Sequence, residues 1–238
     1  MSIGDAEIKT QERVIRFFKD PEILGYQYIG NLSDYQNKNI KEDRLRQYLR
    51  LKGYADKLID AAIMQLQQEA GNLSRGVYDA NKTVYSRLKY GIPVSESPEK
   101  PPVTVQLVDE EKPLNNDFAI AEEVTVVEQS EKRPDLVVYL NGIAVAVIEL
   151  KRSSISVSEG IRQNLTNQKN SFIQSFFTTM QFCMAGNESE GLRYGTLLTG
   201  EKFYMEWKDD GFKEHEEERD PVDVRISKTC EGIENKLL

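Results

Sequence analysis

Arg133-Pro134-Asp135-Leu136-Val137-Val138-Tyr139-Leu140-Asn141-Gly142-Ile143-Ala144-Val145-Ala146-Val147-Ile148-Glu149-Leu150-Lys151 consists of two apolar runs joined by Asn-Gly and bounded by charge. Asn-Gly between runs rich in β-branched and aromatic residues is a strong hairpin signal. The second run, Ile143 to Ile148, is apolar at every position, which predicts a strand buried on both faces. It leads directly into Glu149 and Lys151, and charge at the end of a buried strand needs a chemical reason. Side chains alternate along a strand, so Glu149 and Lys151 share one face.

The register of this hairpin decides whether Asp135 joins them. An ideal two-residue turn at Asn141-Gly142 pairs Leu140 with Ile143 and sets Asp135 opposite Ile148, on the wrong face. A three-residue loop, Leu140 to Gly142, pairs Tyr139 with Ile143 and Asp135 with Val147, diagonal to Glu149. The sequence therefore predicts the three-residue loop or an equivalent bulge, because only then do Asp135, Glu149 and Lys151 converge. Two converging carboxylates suit a hard divalent cation such as Mg²⁺, for which Mn²⁺ substitutes, with the Leu150 carbonyl as a further oxygen. Lys151 is then placed to orient a water or to meet developing negative charge.

Outward from the hairpin, strand-like texture covers Val103 to Val108, Phe118 to Val127, Tyr194 to Leu198 and Phe203 to Trp207. Ser156-Val157-Ser158-Glu159 has the form of a capping box opening a helix through Gln163. Phe172, Ile173, Phe176, Phe177 and Met180 recur at helical spacing and predict a second helix ended by Gly186, its phenylalanines serving as core rather than as a base-stacking platform. Upstream, Val14, Ile15, Phe17 and Phe18, then Leu45 through Leu66, read as helices. Leu73 to Tyr90 reads as another, stopping at Gly91. Pro93, Pro98, Pro101 and Pro102 mark a loop between this helical part and the strands. The core is predicted to be α/β.

Composition narrows the chemistry. The 238 residues carry a formal net charge of -8, so any grip on phosphates must be local or borrowed. The single histidine, His215, sits among Glu214, Glu216, Glu217 and Glu218, which argues against histidine acid–base or triad chemistry. Cys183 and Cys230 lack metal or redox spacing and read as plain thiols. No apolar run approaches the roughly 18 residues of a membrane span, and Met1 to Thr10 lacks a secretory core, so a cytoplasmic location is expected.

Pro134-Asp135 with Glu149-Leu150-Lys151 resembles the PD-(D/E)xK nuclease superfamily. The wider chain resembles the amino-terminal region of the restriction subunit of type I restriction enzymes. Arg133-Pro134-Asp135, Asn141-Gly142-Ile143 and Glu149-Leu150-Lys151-Arg152 carry this likeness, as do Leu24-Gly25-Tyr26, Tyr78-Asp79-Ala80-Asn81, Asn116-Asp117-Phe118-Ala119, Ala185-Gly186-Asn187 and Leu192-Arg193-Tyr194-Gly195-Thr196. The resemblance implies a restriction-endonuclease-like mixed β-sheet core flanked by helices. It places a helical amino-terminal region over 1–95, an endonuclease core over 96–210 and an acidic connector over 211–238 leading toward an ATP-driven motor. It also implies an assisting glutamine, matched by Gln163. The tyrosine that usually accompanies it four positions on is replaced by Asn167, with Gln168 as a partial substitute. The acidic residue that the superfamily draws from its first core helix is matched by Glu12, although a first-turn glutamate also suits the helix dipole.

In function, the resemblance implies metal-dependent cleavage of double-stranded DNA remote from a recognition sequence, with modification and specificity subunits as partners. ATP belongs to the motor, since these residues contain no G-x-x-x-x-G-K-[ST] loop. Weak activity of the isolated domain is expected. The rival readings are a catalytically silent module of the same fold that docks partners or DNA, and a stand-alone nuclease, whose basic groove the composition does not suggest.

Overall fold

The computed structural model describes residues 3–206. In chain order the elements are α1 (Ile3–Lys19), β1 (Gln27–Asn31), α2 (Glu42–Leu51), α3 (Asp56–Gly71), α4 (Val77–Tyr90), β2 (Ile92–Val94), β3 (Val103–Val105), β4 (Phe118–Glu122), β5 (Val126–Val127), β6 (Glu131–Lys132), β7 (Leu136–Leu140), β8 (Ile143–Leu150), α5 (Val157–Asn167), β9 (Phe182–Asn187) and β10 (Gly191–Gly195). β8 has no polar face to offer water, and all of its residues are buried in the middle of a six-stranded sheet ordered β1-β4-β7-β8-β9-β10. The sheet is mixed: β1 runs parallel to β4 and β8 parallel to β9, the other neighbours being antiparallel. Parallel β8 and β9 require a crossover, which α5 supplies.

Both faces of the sheet are covered. Val14, Phe18, Leu45, Leu49, Ile59, Leu66 and Leu88 from α1 to α4 pack on the face shown by Leu136, Val138, Ile148 and Leu150. The opposite face, shown by Val137, Tyr139 and Val147, receives Ile173, Phe176, Phe177 and Met180. α5 lies on this second face, where Val157 and Ile161 meet Ala185. The first ninety-five residues are thus not helical alone, since β1 is an edge strand of the main sheet.

The hairpin closes differently from the three-residue expectation. Leu140 pairs with Ile143 across a two-residue Asn141-Gly142 turn. Asn141 and Gly142 have φ of 52° and 83°, as a type I′ turn demands. Buried Asn141 is fixed there: its Oδ1 accepts from the Asp117 N–H at 2.7 Å, and its Nδ2 donates to the Leu107 carbonyl at 2.8 Å. Compensation comes farther along. Tyr139 pairs with Ala144 but Val138 with Ala146, so Val145 is an extra residue in β8. Val145 and Ala146 both face the α1–α4 side. This bulge restores the parity that the turn alone would lose.

Three further expectations are corrected. Phe172 to Met180 is not an α-helix but contains a 3-10 turn, Gln174–Thr179, and Gly186 lies within β9 rather than ending a helix. Long-range side chains take the backbone groups that a helix would use. Glu128 accepts from the N–H groups of Ser175 and Phe176 at 3.0 and 2.9 Å, and Asn39 donates to the Ser175 carbonyl at 2.9 Å. Within the described part of the strand expected over Phe203 to Trp207 there is a 3-10 turn, Glu201–Phe203, followed by a single bridge from Met205 to Tyr194. Phe118 to Val127 is split into β4 and β5 by a turn in which Glu123 has a φ of 51°. Trp207, His215, Cys230 and the proposed connector lie outside the described residues. Cys183 is buried and unpaired, its thiol pushed up to about 12 by burial. No helix among the described residues is long and apolar enough to cross a membrane.

Candidate active site and metal centre

The bulge sets the geometry of the site. Leu136 pairs with Ile148, so Asp135, one residue before β7, comes opposite Glu149 near the end of β8. Both project to the face of Val137 and Val147. Asp135 is tied to β8 by its Oδ2, which accepts from the Leu150 N–H at 2.7 Å. The structure therefore brings these two carboxylates together, directly opposite rather than diagonal as expected.

Glu149 is fully buried. Gln163 of α5 donates from Nε2 to Glu149 Oε2 at 2.6 Å, the position at which an assisting glutamine was expected. α5 reaches this close because of Gly160: a Cβ there would stand 3.0 Å from the Ala185 Cβ and 3.5 Å from the Glu149 Cβ. Glu149 Oε1 has no donor, and the Glu149 carboxyl lies close to that of Asp135, the two bonding only when one of them carries a proton. Burial, then the charge of Asp135, push the Glu149 carboxyl well above the usual carboxylate range, while Lys151 opposes the shift and Glu123 adds to it.

The raised carboxyl can be read in stability. A carboxyl whose folded pKa is raised contributes stability below its unfolded pKa, and that contribution is lost as pH rises through the folded pKa. Without metal, the melting temperature of the wild type should therefore fall relative to Glu149→Gln as pH rises above the ordinary glutamate range. A divalent cation held by the ionised pair would narrow the difference. Melting curves in EDTA that keep a constant offset between the two proteins at every pH would contradict this.

Lys151 lies next along the same face. Its backbone N–H donates to the Gly186 carbonyl at 2.9 Å, extending the β8–β9 ladder, and its Nζ donates to the Leu150 carbonyl at 3.1 Å. The donor set fits a hard cation: two carboxylates, one with an orphaned buried oxygen, and a carbonyl already drawing positive charge. No group of three or more His, Cys, Asp or Glu among the described residues forms a metal cage. Two carboxylates and a carbonyl suit an ion that keeps several waters, as Mg²⁺ does, better than one that needs an all-protein shell.

Glu12 is exposed and lines a cavity of about 620 Å³ together with Gln11, Glu122, Glu123, Arg133 and Asp135. It shares the cavity with Asp135 without entering the Asp135–Glu149 contact. Gln168 is not a substitute companion for Gln163: its Oε1 accepts from the Leu198 N–H at 2.7 Å and its Nε2 approaches the Cys183 Sγ at 3.5 Å. Asn167 is buried, and its carbonyl accepts from the Ile173 N–H at 3.2 Å.

Glu123 was not foreseen from the sequence. Its N–H donates to the Asp135 carbonyl at 2.8 Å, its carboxylate accepts from Gln11 at 3.2 Å, and it meets Arg133 at 2.7 Å. The signal was present, since Ala119-Ile120-Ala121 runs into Glu122-Glu123 as Ile148 runs into Glu149. Glu122 is held separately by Gln11 at 3.0 Å and by Tyr28, whose hydroxyl donates at 2.6 Å and is pushed up to about 12, chiefly by burial.

A search among curated proteins returned no match. The model of one family spans residues 7–203, taking in every element and side chain of this site, and by that match the chain belongs to the family described as type I restriction enzyme R protein N terminus.

Proposed function

We propose that the chain is the endonuclease part of a type I restriction enzyme, hydrolysing phosphodiester bonds of double-stranded DNA with Mg²⁺, or Mn²⁺ in its place. In the complete cytoplasmic enzyme, cleavage occurs far from the recognition sequence and is coupled to ATP-driven translocation. Modification and specificity subunits choose the DNA. The observation that carries this reading is the juxtaposition of Asp135 and Glu149 on one sheet face, with Lys151 two residues on and Gln163 holding Glu149.

Asp135, Glu149 and the Leu150 carbonyl would hold the cation, which when bound polarises a phosphoryl oxygen and makes a water more acidic. Gln163 fixes Glu149 through Oε2 and leaves Oε1 for other partners. Lys151 supplies the positive charge that orients the attacking water and meets negative charge growing on the phosphate. The net charge of -8 fits a domain to which motor and partner subunits deliver DNA.

Titration calorimetry tests the metal assignment. Saturable binding of Mg²⁺ or Mn²⁺ is expected for this chain and should drop by at least about tenfold in Asp135→Ala, the loss of one ligand charge. Binding that survives the substitution would favour a silent module of the same fold.

A further inference from the structure

On the basis of the nuclease reading, we propose that Arg133 binds a phosphodiester of the DNA backbone next to the group being cut, and so lets a polyanion enter an acidic cleft. The cavity reached by Asp135 is lined by the carboxylates of Glu12, Glu122, Glu123 and Asp135, and Arg133 is the one cation among the described residues that line it. A phosphate approaching that wall meets four like charges, of which a metal held by Asp135 offsets only part. The guanidinium is the counter-charge already in place.

Its mount is rigid. A residue before proline is restricted to extended backbone, and Pro134 follows Arg133. The Pro134 carbonyl accepts from the Val124 N–H at 3.0 Å, and the Asp135 carbonyl from the Glu123 N–H at 2.8 Å. Arg133 is thus fixed two residues from a metal-binding carboxylate. In the free protein its Nε meets Glu123 Oε2 at 2.7 Å, with the arginine side chain 57% and the glutamate 24% exposed. A pair whose guanidinium stands in solvent is weakly held, and a phosphate offers the planar guanidinium two parallel hydrogen bonds. Glu123 therefore keeps Arg133 aimed into the cleft until DNA displaces it.

The test is nuclear magnetic resonance of the whole chain, following arginine Nε–H cross-peaks during titration with a short DNA duplex in EDTA, where no turnover occurs. The Arg133 peak is assigned by its disappearance in Arg133→Lys. Arg162 is the internal control, since its Nε meets Glu201 at 2.8 Å with a side chain 55% exposed, outside this cavity. The Arg133 peak is expected to move saturably and to return as KCl is added, the Arg162 peak moving far less. Glu123→Gln should lower the half-saturating duplex concentration about two- to fivefold, the effect of removing a competing, solvent-accessible ion pair. An Arg133 peak that stays still, or moves no more than that of Arg162, overturns the proposal. That result leaves the nuclease reading untouched, because the nuclease reading stands or falls on metal binding by Asp135→Ala and on cleavage by Lys151→Ala.

Discussion

Lys151→Ala, placed in the complete restriction complex, is expected to lower plasmid cleavage by about 10²–10³-fold while ATP turnover continues at the wild-type rate. The size of the effect comes from position. The backbone of Lys151 is locked to Gly186, and its ammonium sits on the Leu150 carbonyl beside the buried Glu149, so its charge is held where a phosphate would gain charge during attack. In such a partly dry site one fixed donor is worth about two to three powers of ten in rate to its transition state. On the proposed metal assignment, ammonium loss should leave Mg²⁺ affinity unchanged or slightly higher, because a positive neighbour of the cation's carboxylates has gone. Plasmid cut at the normal rate by a complex that still turns over ATP would remove Lys151, and with it the site, from the proposed function.

The largest expected effect on stability belongs to Gly142→Val. Gly142 has a φ of 83°, and a Cβ there would lie 2.7 Å from the Lys41 carbonyl and 2.8 Å from the Leu45 backbone nitrogen. The Lys41 N–H also donates to the Gly142 carbonyl at 2.7 Å, so the turn cannot retreat without losing that bond. Left-handed backbone for a β-branched residue and the collision with α2 together cost about 2–5 kcal/mol. That is a large share of the ~5–15 kcal/mol that holds a typical domain. A fall in melting temperature of roughly 5–15 °C should appear in calorimetry. A variant melting within about 1 °C of the wild type would show that the turn is not wedged against α2.

Much of this fold could be read from the chain because the apolar runs were unambiguous. β8 is apolar at every position up to Ile148, and a strand of that kind belongs in the middle of a covered sheet. Asp135, Glu149 and Lys151 stood out for the complementary reason, as charges at the ends of such runs. Gln163 required the family resemblance, since nothing in its own helix distinguishes it from surface polarity. The bulge could be demanded by parity but not located: in an all-apolar run, two consecutive residues facing the same side look no different from alternation. The segment around Phe176 looks helical in sequence because its spacing suits a helix, whereas its backbone partners, Asn39 and Glu128, come from remote parts of the chain. Glu123 escaped for the same reason, its role depending on Gln11 and Arg133.

The extra residue at Val145 also bears on how such hairpins tolerate insertions and deletions. Adding or removing residues two at a time between Leu136 and Ile148 lengthens or shortens the ribbon and still delivers both acids to the same side. A change of one turns Glu149 toward the α1–α4 core, where a carboxylate has no solvent, unless a second single-residue change undoes it. Oddness or evenness of the gap, rather than its length, is therefore what the chemistry constrains.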